Sequence, residues 1–196
     1  MTTPWIQTVS GKKFYPLAPR EEDVDIRDIA HALSNICRFS GQCKQHHSVA
    51  IHCVNVSKLL EYIYGEEASE LAMMGLLHDA SEAYFGDIPS PVKNYISDFA
   101  VIEARLTNAI LKSVLPKADL GSPMWSRVCV ADAANLVTEA RELFDTVCDN
   151  WTDTVLKEIP EHVRMPAHWL QLGLQPKEAE RRFLLRYDDL KKRINP

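Results

Sequence analysis

Residues 71–91 read LAMMGLLHDASEAYFGDIPSP, and the change of character midway through them decides how the chain is read. The stretch opens as an apolar helical run, meets His78-Asp79, adds Glu82, and closes on Gly86-Asp87-Ile88-Pro89. Residues three and four apart on a helix share a face. The spacing therefore predicts a helix over 71–85 with Leu71, Met74, Gly75, His78 and Glu82 on one inward stripe and Asp79 a turn below Glu82. Ionisable groups buried without partners are costly, and a bound cation is the simplest compensation. The stretch reads as half of a metal site.

On either side the pattern is mostly helical. From Asp25, a capping residue, the positions Ile26, Ile29, Ala30, Leu33, Ile36 and Cys37 keep one face apolar, and Gly41 lies just beyond. Ser48 is a natural N-cap for a second helix whose buried stripe runs Val49, His52, Cys53, Val56, Leu59, Leu60 and Ile63, with His52 its one polar member. After Asp98 a helix carries Ile102, Leu106, Ile110 and Val114 and stops before Pro116. Another, roughly 125–147, has the apolar positions Val130, Leu136, Val137, Ala140 and Phe144, with Asp132 set among them. Pro176 starts a last helix with Ala179, Phe183, Tyr187 and Leu190 facing inward. Residues 5–18 fit a short hairpin turning at Ser10-Gly11, and residues 150–176, rich in Trp and Pro, fit an irregular segment with short helical turns. With no repeat, linker or low-complexity tract, residues 1–196 are expected to form one mostly helical domain.

The bulk numbers bound the partners. A chain of 196 residues can bury a substantial core without staples. A net charge of −5 argues against broad nucleic-acid binding but leaves a small nucleotide open, since that needs only local positive charge. No run approaches the roughly 18 apolar residues of a membrane span, and no signal-peptide core opens the chain. The five cysteines, Cys37, Cys43, Cys53, Cys129 and Cys148, are odd in number and form no CxxC pair, so free thiols in the cytoplasm are expected.

His52, His78, Asp79 and Asp132 come from three separate predicted helices, and each interrupts or adjoins an apolar face. Two imidazoles and two carboxylates make a mixed nitrogen and oxygen site suited to one divalent ion: Mn, Co, Fe, Zn or Mg. Four protein donors around a six-coordinate ion leave two positions, enough for a water and a phosphate oxygen. The competing reading makes each of the four a separately satisfied core polar residue.

The segments SVAIHCVNVSKL, LLHDASEAYFGDIPSPVK and VADAANLVTE, in this order, resemble the HD-domain metal-dependent phosphohydrolases. Within them the likeness is to the YfbR- and YfdR-like 5'-deoxynucleotidases, with phage deoxynucleoside triphosphohydrolases as relatives. It extends from SGKKFY and LSNICRFSG near the start to PKEAERRFLLRYDDL at the end. The resemblance implies an all-α HD-domain bundle with the metal at the junction of three helices. It implies that His52, His78, Asp79 and Asp132 are metal ligands and that Glu82 and Asp87 handle the attacking water. It also implies phosphate contacts from Arg38 and Lys93, a nucleotide as the small-molecule substrate, and a homo-oligomer. The expected reaction is hydrolysis of a deoxynucleoside 5'-monophosphate to deoxynucleoside and phosphate. The alternatives are a triphosphohydrolase that releases triphosphate from a dNTP and a catalytically silent nucleotide-binding module.

Blander roles stand beside these. Glu82 can orient His78 instead of reacting. Asp87 sits in ordinary Gly-Asp turn chemistry before a proline, and Arg38 and Lys93 can complement helix C-termini. Glu139, two turns after Asp132, is either a partner of the site or part of a solvated face. Cys43, His46 and His47 lack a fourth ligand at fitting spacing and are expected at the surface or on the pocket wall. His31 is expected to face out of its helix, and His162 and His168 fall in the irregular segment without assigned roles. Relatives often carry Glu or Gln just before the metal histidine; here Ile51 stands there, which bears on substrate contacts more than on the metal.

Overall fold

The computed structural model describes residues 4–147, 163 and 166–195. The chain is all-α apart from a two-stranded hairpin, β1 (Ile6–Gln7) against β2 (Lys13–Phe14), paired antiparallel with Ile6 opposite Phe14. The helices are α1 (Ile26–Asn35), α2 (Val49–Tyr64), α3 (Ser69–Leu77), the short α4 (Ser90–Lys93), α5 (Phe99–Val114), α6 (Pro123–Leu143) and α7 (Pro176–Ile194).

The bundle is built around α2, where every residue from Val49 to Ser57 is buried, as are Leu59 and Leu60. A helix apolar on nearly all sides must be wrapped by others, and α1, α3, α6 and α7 pack around this one. Ser48 starts it by accepting a hydrogen bond from the Ile51 backbone N–H at 3.4 Å. The approach of α3 to α2 depends on Gly75. A Cβ there would lie 2.4 Å from Leu60 Cδ1 and 3.4 Å from the Ser57 Cα. Arg186 of α7 is buried and donates to Ser57 Oγ at 3.0 Å while pairing with Glu61 at 2.8 Å. Asn55 exchanges two 3.1 Å hydrogen bonds with the backbone of Gln171, fixing the approach to α7.

The hairpin is part of the support for the site. Ser10 donates from its backbone and hydroxyl to Asp28 of α1 at 2.9 and 2.8 Å. Phe14 stacks on Tyr84 with ring centroids 3.8 Å apart, covering the turn that follows the His-Asp pair.

Several boundaries differ from the periodicity. α1 ends at Asn35, so Ile36 and Cys37 are extended or bridging residues, and Gly41 belongs to the following turn with φ of 74°. The helix expected over 71–85 starts at Ser69 and stops at Leu77, and Ala80–Tyr84 forms a separate 3₁₀ turn. The cause is local. In a continuous α-helix the Gly75 carbonyl would accept from the Asp79 N–H. Instead it accepts from His78 Nδ1 at 2.8 Å, and the Glu82 N–H closes a tighter turn onto the Asp79 carbonyl at 3.0 Å. The helix expected at 125–147 runs from Pro123 to Leu143, with Ser122 as its cap. Its inner face carries Val128, Ala131, Ala134, Asn135 and Glu139 with Val137 and Ala140, and Val130 is 36% exposed. Most of the 150–176 segment, with Cys148 and His162, lies outside the described residues; Ala167–Trp169 forms a single 3₁₀ turn.

Candidate metal centre

The four predicted donors meet where the end of α3 faces the first turn of α2 and the first half of α6. His52 comes from α2, Asp132 from α6, and His78 and Asp79 from the break after α3. The two imidazoles approach through Nε2, 3.3 Å apart. Asp132 Oδ1 lies 2.9 Å from His52 Nε2 and 3.7 Å from His78 Nε2. Asp79 Oδ2 lies 3.1 Å from His78 Nε2 and 3.6 Å from His52 Nε2. Donors bound at about 2.1 Å around one octahedral or tetrahedral ion stand roughly 3.0–3.4 Å from one another. The observed spacings cluster around that range.

Both imidazoles are set to present a lone pair at Nε2. His78 Nδ1 donates to the Gly75 carbonyl, which can only accept. His52 Nδ1 lies 3.1 Å from both oxygens of Glu139, whose carboxyl is held well below the usual range because His52 and Arg38 overcome the burial penalty. Hydrogen bonding at one ring nitrogen fixes the tautomer and frees the other. Two Nε2 lone pairs facing each other beside two carboxylates require positive charge between them. The titration behaviour carries the same message. Burial opposes charging of both rings, yet Glu139 and Asp132 around His52, and Asp79 around His78, pull their pKa values above 6.5. Asp79 is lowered to about 2, where His78 outweighs the burial that would raise it.

The residues thus fit a divalent cation with nitrogen and oxygen ligands. His52, His78 and Asp132 place their donor atoms within 4.8 Å of one another, and so do Cys53, His78 and Asp79. The second set fits less well, because burial pushes the Cys53 thiol up to about 11 and a thiol ligand must be deprotonated.

The centre opens onto a cleft of about 780 Å³ lined by Arg38, Phe39, Asp79, Glu82, Asp87, Lys93, Tyr95 and Asp132 among others. Glu82 is buried, and one oxygen, Oε1, lies 3.4 Å from Lys93 Nζ. Its other oxygen, Oε2, has no hydrogen-bond partner among the described residues. Burial first, then Asp79 and Asp87, pushes its carboxyl up to about 9. Asp87 is half-buried in the cleft wall. Lys93 ends α4 and is anchored by Glu103 of α5 at 2.7 Å. Arg38 is buried, with a nitrogen 3.5 Å from Asp79 and Nε 3.2 Å from Glu139. All eight residues expected at the site are therefore at the centre or on the cleft wall.

Glu139 and His47 have larger parts than their sequence positions implied. Glu139 is fully buried and touches His52, Arg38 at 3.2 Å, His47 Nε2 at 2.9 Å and Asn135 Nδ2 at 2.8 Å. The solvated face is excluded. His47, expected at the surface or pocket wall, is buried behind this carboxylate. The available signal was the spacing Asp132, Asn135, Glu139, which puts three polar groups on one face of α6. Cys43 is half-buried, and His46 Nε2 lies 3.4 Å from the Ser34 carbonyl. His31 is partly exposed, with its Nδ1 3.1 Å from Glu180 of α7, and His168 is exposed.

Residues 28–119, which hold His52, His78 and Asp79, match the family described as 5'-deoxynucleotidase YfbR-like. Over 186 residues, 95% of each chain, the sequence is 36% identical to YfdR, an uncharacterized protein of Escherichia coli. This chain belongs to the YfbR-like family. An uncharacterized protein of Rhodobacter capsulatus is 33% identical over 147 residues, covering 73% of this chain and 74% of its own. Membership in the YfbR-like family places the chain among the HD-domain phosphohydrolases, whose members typically bind a divalent metal.

Proposed function

We propose that this YfbR-like chain hydrolyses deoxynucleoside 5'-monophosphates to deoxynucleoside and inorganic phosphate, with one divalent ion held by His52, His78, Asp79 and Asp132. The observation that carries this reading is the convergence of those four donors at the floor of a nucleotide-sized cleft. Bound there, a divalent cation supplies a more acidic water and polarises a phosphoryl oxygen.

The chain's own residues account for the remaining requirements. Glu82 accepts the proton of the attacking water at Oε2, the oxygen with no other partner among the described residues. Lys93 holds Oε1 and leaves Oε2 to take the proton, while burial, Asp79 and Asp87 make the carboxylate a strong base. Arg38, kept charged by Glu139 and Asp79 against its burial, offers charge-assisted hydrogen bonds to phosphoryl oxygens as charge develops. The bond from phosphorus to the 5'-oxygen breaks, and the departing oxygen takes up a proton. Phosphoryl transfer asks for little more than this positioning and charge.

The charge balance of the cleft favours a monophosphate. Among the described lining residues, Asp79, Glu82, Asp87 and Asp132 face only Arg38 and Lys93 as cations, and both are already paired with carboxylates. One divalent ion offsets a phosphate dianion there, whereas a triphosphate brings further negative charge to a wall with no free cation among its described lining residues.

Asp79→Asn tests the reading. Hydrolysis should be lost while helix content by circular dichroism stays near that of the parent. Retained turnover would exclude the proposed centre.

A further inference from the structure

The turn that carries Arg38 into the cleft is flanked by two thiols in contact. Cys37 and Cys43 are both free and half-buried, with their sulfurs 3.7 Å apart. Three consecutive residues with positive φ, Phe39 at 56°, Ser40 at 52° and Gly41 at 74°, reverse the chain between them. Two of those are not glycine, so the surroundings must hold the turn. The Arg38 carbonyl does much of this, accepting from the Gly41 N–H at 3.1 Å and from the Cys43 thiol at 3.7 Å. The Arg38 N–H donates to the His47 carbonyl at 2.9 Å, and Cys37 bridges to Ser48.

We propose that Cys37 and Cys43 form a redox-active dithiol, a modification site at which a peroxide closes an intramolecular disulfide across the turn that carries Arg38. A disulfide needs its sulfurs about 2.05 Å apart, so the pair has to close by less than 2 Å, within reach of side-chain rotation and a small shift of the turn. In the first step one thiolate attacks a peroxide oxygen, giving a sulfenic acid and releasing one water. The second thiol then attacks the sulfenic sulfur, the S–S bond forms, and a second water leaves. Two electrons pass from sulfur to the peroxide, and the chain loses two hydrogens.

Burial and the Cys37 thiol push the Cys43 thiol up, in keeping with its S–H donating to the Arg38 carbonyl. Cys53 is fully buried in the core, out of reach of an added oxidant. Closing the disulfide removes the thiol donor from the Arg38 carbonyl and draws on the turn that holds Arg38, Phe39 and Ser40 at the cleft wall. The consequence for catalysis rests on the function proposed above; the thiol chemistry does not.

The test uses the full metal-loaded chain carrying Cys129→Ser, which removes an exposed thiol near Asp132. Hydrogen peroxide is added, and peptide masses and turnover of a deoxynucleoside monophosphate are followed. The expected result is a Cys37–Cys43 linked peptide two hydrogens lighter, absent in a further Cys43→Ser variant. Turnover should fall about tenfold, as for a displaced positioning group, and dithiothreitol should restore both. Reduced Cys37 and Cys43 after other thiols have oxidised would overturn the site. A formed disulfide with unchanged turnover would overturn its coupling to the cleft. If the untreated protein hydrolyses no nucleotide, the assigned function fails, and the peptide masses alone decide the dithiol.

Discussion

Replacing Glu139 by Gln keeps the shape of the side chain and removes a charge on which four neighbours depend. The carboxylate meets His52 Nδ1 at 3.1 Å, His47 Nε2 at 2.9 Å, Arg38 Nε at 3.2 Å and Asn135 Nδ2 at 2.8 Å, all out of solvent. Breaking a buried ion pair by removing one partner costs about 3–5 kcal/mol. Arg38 retains Asp79 at 3.5 Å and the amide retains one acceptor, so the low end, about 3 kcal/mol, is expected. For a chain of this length that corresponds to a fall in Tm of about 6–12 °C. A second consequence follows from the lost grip on His52. With its Nδ1–H no longer held by a carboxylate, the ring presents Nε2 less reliably, and metal affinity should drop about 10- to 100-fold. Thermal unfolding without added cation reads the first effect, and competitive titration with Mn²⁺ reads the second. Nitrogen NMR of the histidine rings should show the His52 tautomer changing while that of His78, held by the Gly75 carbonyl, does not. Glu142→Gln, on the exposed side of the same helix, serves as the control and should move neither quantity. A Glu139→Gln protein with parental Tm and parental affinity would refute the reasoning.

Acidity gives an independent check. In the cation-free protein the pKa values of His52 and His78 lie above 6.5, so the stability they contribute is full below that value and lost as pH rises through the raised pKa values. Cation binding displaces those protons and strengthens with pH, by about tenfold per unit for each imidazole until the protons are gone. Added Mn²⁺ should therefore raise Tm more at about pH 8.5 than at about pH 6, and the opposite order would contradict the proposed ligand set. Glu82→Gln separates chemistry from stability. Its carboxyl sits at about 9 in the folded chain against an ordinary 4.5, so ionisation favours unfolding as pH climbs between those values. The variant should lose about 10²- to 10⁴-fold in turnover yet melt no lower than the parent at about pH 8 without cation. A lower Tm would show that the carboxylate is a stabilising partner, and retained turnover would show that it is not the proton acceptor.

Much of this architecture is written in short-range pattern. The buried stripe of α2 with a single histidine, the Ser48 cap and the His78-Asp79 pair locate two elements and three donors from sequence alone. What the pattern misplaces, it misplaces for physical reasons. Apolar periodicity cannot reveal that the His78 imidazole takes the Gly75 carbonyl and ends α3 eight residues early. On α6 the inner face is partly polar, because Glu139 is met by Arg38, His47 and His52 from other elements and itself accepts from Asn135. A reading that seeks large apolar residues therefore turns Val130 inward when it is exposed. His47 reads as a surface residue because its partner lies 92 positions away in the chain. Long-range polar pairing, rather than helix formation, is the part of this fold that a single sequence hides.

Product identification tests the central claim most directly. Purified protein with Mn²⁺ or Co²⁺ is given deoxynucleoside monophosphates, ribonucleoside monophosphates and deoxynucleoside triphosphates, and the products are separated by chromatography. The account predicts deoxynucleoside and inorganic phosphate from the deoxy monophosphates. Deoxynucleoside and intact triphosphate released from a dNTP, with the monophosphates left untouched, would contradict it.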